Sequence, residues 1–156
     1  MPGEKPSLYL HNGFGNAQAK LSPDGKYIAY ATFESFVSQI VVQTFPDPAG
    51  GRWPITAQGG VEPTWRRDGR ELLYLAADGK MMAVSVKTEP TFQAGETTEL
   101  FQTSLTPQNN PYNRRFDVSA DGERFLIASG SNTPTPGTVP IPFTAVVNWT
   151  TALRKK

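Results

Sequence analysis

The chain has no cysteine and a single histidine among its 156 residues. Without thiols there is no disulfide framework, no cysteine nucleophile and no thiolate-bound zinc. One histidine, His11, excludes from this chain every site that needs two. An excess of one charge is missing as well. Fifteen Lys and Arg face 14 Asp and Glu, a formal net of +1, so bulk electrostatics does not drive the chain to nucleic acid or anionic lipid. No apolar run approaches the ~20 residues of a membrane helix. The opening Met1-Pro2-Gly3-Glu4-Lys5-Pro6 lacks the apolar core of a secretory leader. As written it reads as a soluble chain, and the missing cysteines identify no compartment. Glycine and proline are plentiful, 14 of each, which argues for many turns and against long helices. The length suits one domain.

Three stretches align without gaps. The first is Leu21-Ser22-Pro23-Asp24-Gly25-Lys26-Tyr27-Ile28-Ala29-Tyr30, and the second is Trp65-Arg66-Arg67-Asp68-Gly69-Arg70-Glu71-Leu72-Leu73-Tyr74. The third is Val118-Ser119-Ala120-Asp121-Gly122-Glu123-Arg124-Phe125-Leu126-Ile127. Asp24 to Asp68 is 44 residues and Asp68 to Asp121 is 53. A period near 44 is that of a four-stranded propeller blade. The longer interval needs an inserted loop, and the polar run from Ser104 to Pro111 provides it.

Each copy reads as a β-hairpin. In Ser22-Pro23-Asp24-Gly25 the proline presets φ for a type I turn, the serine can bond back to the backbone, and the glycine accepts positive φ. Leu21, Trp65 and Val118 share one inward register before the turn; Ile28, Leu72 and Phe125 share another after it. Tyr30, Tyr74 and Ile127 follow two residues later on the same face. Third strands are expected at Ser38–Gln43, Lys80–Val86 and Phe143–Trp149. Asp78-Gly79 closes a tight hairpin in the second repeat. A loop with four prolines, Ser129 to Pro142, precedes the last of these strands. Outer fourth strands are expected at Arg52–Thr56 and Thr98–Phe101, with Pro54 tolerable only at a sheet edge. The third repeat has no evident fourth strand.

The Ser-Pro-Asp-Gly turn followed by Tyr27-Ile28-Ala29-Tyr30 resembles the TolB-like, WD40-like propeller repeat. From about Leu8 to Lys156 the chain also resembles the C-terminal propeller segment of bacterial receptor-like serine/threonine kinases. The matching pieces are Val42-Gln43-Thr44-Phe45-Pro46, Trp65-Arg66-Arg67-Asp68-Gly69, Leu73-Tyr74-Leu75, Asp78-Gly79-Lys80-Met81-Met82-Ala83-Val84 and Val146-Val147-Asn148-Trp149-Thr150. The kinase half is absent, with no Gly-rich loop, His-Arg-Asp or Asp-Phe-Gly. The resemblance implies a bacterial sensing or scaffolding module, extracytoplasmic if it is a receptor's sensor part, and it brings no catalytic or cofactor residues. Complete propellers of the family have more blades than the three visible here.

The candidate sites each have a plainer explanation. Gly13-Phe14-Gly15-Asn16-Ala17-Gln18 lacks the third glycine of a dinucleotide fingerprint and precedes a strand, so it reads as an inter-blade loop. His11 reads as a surface or rim residue. No Gly-x-Ser-x-Gly elbow is present. Glu62, Asp117 and Glu34 are the carboxylates placed to approach a central channel, with nothing that pairs them for hydrolysis. Asp24, Asp68 and Asp121 read as turn formers and not as calcium ligands. Arg66-Arg67, Arg114-Arg115 and Arg154-Lys155-Lys156 are interspersed with acids and do not make a nucleic-acid surface. Asn148-Trp149-Thr150 is a chance glycosylation sequon inside a strand.

The sequence therefore predicts an all-β fold of three propeller-type blades, a partial propeller completed by oligomerisation. Residues 1–156 form one segment, with blade 1 at about 17–56, blade 2 at about 61–101 and blade 3 at about 114–149. The expected function is a non-catalytic recognition or sensor module without metal or cofactor, binding an unidentified small molecule or protein at a propeller face or channel mouth. The alternative is the accessory propeller of a hydrolase whose catalytic domain is elsewhere. Gly25, Gly69 and Gly122 are expected at positive φ, and Trp65 buried between blades. Ser7-Leu8-Tyr9-Leu10 is a possible closing strand with no blade of its own. It is expected to complete the third blade of a second copy in a homodimeric six-bladed ring.

Overall fold

The computed structural model describes residue 5, residues 7–105 and 114–128, and the backbone of the strand Phe143–Val147. These form eleven strands in three antiparallel sheets, each a meander. The first sheet orders β1 (Asn16–Leu21), β2 (Tyr27–Thr32), β3 (Gln39–Thr44) and β4 (Arg52–Pro54). The second orders β5 (Gly60–Trp65), β6 (Glu71–Ala76), β7 (Lys80–Lys87) and β8 (Gln93–Gln102). The third holds β9 (Phe116–Val118), β10 (Arg124–Ala128) and β11 (Phe143–Val147). The only helical piece among the described residues is a 3-10 turn at Pro48–Gly50, capped by the Asp47 side chain. The fold is all-β, a row of three propeller-type blades.

The hairpin turns form as their residue types require. The Ser22 carbonyl accepts the Gly25 N–H at 2.9 Å, and Arg66 and Ser119 do the same for Gly69 and Gly122. The three glycines have φ of 70°, 72° and 76°, the left-handed region in which a Cβ is strained. The Asp24 carboxylate accepts the Lys26 N–H, and the Ser22 hydroxyl accepts the Tyr27 N–H. Asp121 and Ser119 repeat both bonds with Glu123 and Arg124. These aspartates are turn formers.

Two cores lie between the three sheets. Tyr27, Ala29, Ile40 and Val42 of blade 1 pack against Trp65, Leu72, Tyr74, Val84 and Val86 of blade 2, with Phe92 hooked in from the β7–β8 turn. On the other side of blade 2, Val61, Leu73, Leu75, Met81 and Ala83 pack against Phe116, Phe125 and Ile127 of blade 3. Successive β6 residues thus enter opposite cores, which is why Leu72-Leu73-Tyr74-Leu75 is a continuous apolar run. Pro54 sits on an edge strand, as its missing N–H demands.

Three expectations need correction. Trp65 is buried, but Leu21 in the same register is half exposed and Val118 only partly buried. Leu21 borders an open cleft, and Val118 packs only at the margin of the second core. Ser7–Leu10 is not a strand here; the Tyr9 ring lies 5.5 Å from that of Phe45, and its hydroxyl donates to the Thr44 carbonyl. The outer strand of blade 2 runs over Gln93–Gln102, far longer than Thr98–Phe101. Its exposed Glu96, Thr97, Thr98 and Glu99 keep a long edge polar.

Candidate functional site

The first strand of every blade borders one open cleft of about 510 Å³, within the usual size of a small-molecule site. Blade 1 contributes Lys20, Leu21 and Pro23; blade 2 contributes Thr64 and Trp65. Blade 3 contributes residues 114–117 with Leu126 and Ala128. Leu21, Trp65, Phe116 and Leu126 give it apolar walls. Cross-blade hydrogen bonds fix its floor. The Trp65 Nε1–H donates to the Lys20 carbonyl at 3.0 Å, and Arg114 Nη2 donates to Thr64 Oγ1 at 2.7 Å.

Beneath the cleft runs a clasp made from one repeat position. Both β1 and β5 bulge, between Ala17 and Lys20 and between Val61 and Thr64. In each bulge one non-glycine residue has positive φ, Gln18 at 58° and Glu62 at 59°. A bulge re-aims its side chain out of the pleat, and here both side chains reach the next blade. Gln18 Oε1 accepts the backbone N–H of Glu62 at 2.8 Å. Glu62 Oε2 accepts the backbone N–H of Arg115 at 2.7 Å, and its Oε1 takes Arg115 Nε at 2.7 Å with Nη2 at 2.6 Å. Gln18, Glu62 and Arg115 stand 44 and 53 residues apart, the same intervals as the turn aspartates. That shared spacing is the mark in the sequence that makes them one repeat position.

The three channel carboxylates are therefore not brought together. Glu62 is buried and occupied by Arg115. Asp117 borders the cleft and accepts its neighbour Val118's N–H at 2.9 Å. Glu34 lies in the β2–β3 loop, held by Arg52 at 2.6 Å and Asn12 at 2.9 Å. The basic doublets divide in the same way. Arg66 pairs with Asp68 and Glu71, and Arg115 with Glu62. Lys20, Arg114 and Asp117 remain as the charged groups around the opening, two cations to one anion.

His11 is exposed in the N-terminal segment, and residues 13–18 lead into a strand. Among the described residues no three His, Asp or Glu side chains are grouped as metal ligands, and no helix is long and apolar enough to cross a membrane. Asn148–Thr150 and the Arg154–Lys156 tail lie outside the described residues.

No family model matches the chain, and no curated protein matches it. Solved structures do. TolB from Acinetobacter baumannii aligns over 94% of this chain and 47% of its own, at 18% identity and a TM-score of 0.42. A protein assigned as a 6-phosphogluconolactonase, from Bacteroides uniformis, aligns over 84% of this chain and 41% of its own, at 18% identity and a TM-score of 0.47. The chain spans less than half the length of either.

Proposed function

We propose that this chain is a recognition module of a signalling protein, taking a small molecule or a side chain of a protein partner in the cleft bordered by the three first strands. The cleft is the observation that carries the reading. It is open, of ligand size, and walled by Leu21, Trp65, Phe116 and Leu126 with Lys20 and Arg114 at its edge. A carboxylate next to an apolar body matches both features, since the apolar part replaces wall hydration and the acid meets a fixed guanidinium. The placement in signalling rests on the sequence alone, through the resemblance of Val42–Pro46 and Asp78–Val84 to the propeller segment of receptor-like kinases. Glu62, one of the three channel carboxylates, is engaged in holding blade 3.

Trp65 reports directly on the cleft. In a Trp53→Phe/Trp149→Phe variant its fluorescence is titrated with N-acetylphenylalanine and with the corresponding amide. The acid is expected to shift or quench Trp65 and the amide to do so more weakly. Arg114→Ala is expected to cost the acid roughly 10-fold or more in affinity, the worth of one charged hydrogen bond. No Trp65 response to apolar acids, amides or amines up to millimolar concentration would overturn the reading.

A further inference from the structure

We propose that the outer half of the junction between blades 1 and 2 is a second binding site, taking a small organic amine whose ammonium meets Asp78 and Glu99 and whose apolar body rests on Met82 and Ile55. The opening follows from unequal strands. β4 has three residues and β8 has ten, so blade 1 covers only part of the face that blade 2 turns to it. Trp53 of β4 packs on Phe92, which follows the end of β7 away from Lys80. At the Lys80 end a cavity of about 490 Å³ stays open, a size usual for a small ligand. It shares no lining residue with the cleft at Trp65. Strand register assembles it. Tyr74 of β6 opposes Met82 of β7, and Met82 opposes Glu99 of β8, so the three form one cross-strand row. Lys80, two residues before Met82, shares that face.

Tyr74 carries the argument. It is 6% exposed and lines the cavity, yet among the described residues its hydroxyl has no hydrogen-bond partner. Buried hydroxyls are normally paired. The buried Tyr27 and Tyr30 follow that rule, donating to the Thr88 carbonyl and to Gln43 Oε1. Burial and the nearby Asp78 carboxylate push the Tyr74 phenol above its ordinary 10.0. It therefore stays neutral, with one proton to donate and lone pairs to accept.

The sign of the charge selects the ligand. Lys80 Nζ lies 3.4 Å from the Asp78 carboxylate and 3.0 Å from that of Glu99. These three are the charged groups lining the cavity, so one negative charge is left uncompensated. Both carboxylates are about half exposed and have lone pairs for a further donor. An ammonium supplies the missing positive charge, with N–H donors for a carboxylate and for the Tyr74 oxygen together. The cleft at Trp65, with two cations to one anion, has the opposite preference.

Isotope labelling of the methionine methyl groups gives a direct readout by NMR. Met82 lines the cavity, and Met81 lies in the core on the other side of blade 2. Titrating the full chain with phenethylamine is expected to shift the Met82 methyl saturably and leave Met81 in place. Phenethyl alcohol and phenylacetate are expected to bind much more weakly. Tyr74→Phe keeps the packed ring and is expected to weaken the amine roughly 10-fold, the worth of a hydrogen bond to a charged group. Lys80→Met removes the resident cation and is expected to tighten binding, which apolar contact alone would not produce. The absence of a saturable Met82 shift up to about 10 mM amine would overturn the proposal. So would an equal response to the alcohol, wild-type affinity in Tyr74→Phe, or weaker binding in Lys80→Met. None of these results depends on ligand entry at Trp65, so this site and the recognition reading fail separately.

Discussion

Replacing Glu62 with alanine removes the acceptor that ties blade 3 to blade 2. The carboxylate is 1% exposed, and the Arg115 side chain it holds is 14% exposed. Three donors lose their partner together: the Arg115 backbone N–H, Nε and Nη2. Breaking one side of a buried ion pair typically costs about 3–5 kcal/mol, because the surviving charge stays desolvated. Against a whole-domain stability of about 5–15 kcal/mol that is a large fraction. Backbone strain modulates the figure. At φ 59° alanine keeps the left-handed penalty, and glycine removes roughly 1–2 kcal/mol of it, so Glu62→Gly is expected to be less damaging than Glu62→Ala. Glu62→Gln keeps an acceptor for the N–H and loses the charge, and falls between wild type and alanine. Urea unfolding followed by far-UV circular dichroism resolves these steps. With m near 2 kcal/mol/M the alanine midpoint falls by about 1.5–2.5 M. Arg115→Met is expected to be comparably damaging, since it strands the carboxylate instead. The Glu62→Gln/Arg115→Met double variant recovers part of the loss, giving a coupling of about 0.5–3 kcal/mol. A Glu62→Ala midpoint within about 0.3 M of wild type, or strict additivity in the double variant, would refute the reasoning.

The turn glycines are not equivalent. A Cβ at Gly25 meets open space, but one at Gly79 (φ 83°) would stand 2.7 Å from the Leu105 carbonyl oxygen. Gly79→Ala is therefore expected to destabilise beyond the ~1–2 kcal/mol of left-handed strain alone, and Gly25→Ala by that strain only; equal urea midpoints would contradict the geometry. Trp65→Ala is expected to cost roughly 3–5 kcal/mol as a large buried side chain, and Trp65→Phe less, through the lost bond to the Lys20 carbonyl. A Trp65→Phe variant as unstable as the alanine one would show that packing is not what Trp65 supplies. Burial pushes the Asp24 carboxyl up, but hydrogen bonds from the Ser22 hydroxyl and the Lys26 amide outweigh it and hold it below the ordinary 3.8. The Ser119 hydroxyl and the Glu123 amide likewise hold Asp121 below that value. A lowered native pKa contributes stability that is present above the unfolded pKa and is lost as pH falls through the native one. Wild-type stability is therefore expected to decline below about pH 4, and more steeply than in Asp24→Asn/Asp121→Asn; parallel curves would remove the turns from the acid response.

The hairpins and their turns were legible because their causes are local. Proline's φ, the aspartate's bond to the amide two residues on, and glycine's freedom at positive φ act within four residues, and period-2 burial follows from strand geometry alone. Pro54 announced an edge strand for the same reason. The spacing marks Glu62 and Arg115 as one repeat position, but their pairing was not legible, because it depends on how one blade stacks on the next. A bulge that turns Glu62 out of its pleat has no clear mark in Val61-Glu62-Pro63. Leu21 shows the same limit from the other side. Its apolar character was readable, but burial is a property of what lies opposite, and a register shared with Trp65 cannot say that Leu21 borders an open cleft. The sequence by itself determined the repeat, its turns and which residues of each strand are apolar, since these follow from side-chain chemistry and short-range sterics. Only the tertiary structure decided which carboxylate is spent on an ion pair, which walls a cleft, and which apolar positions are left uncovered, because each depends on distances between residues that the chain brings together only by folding.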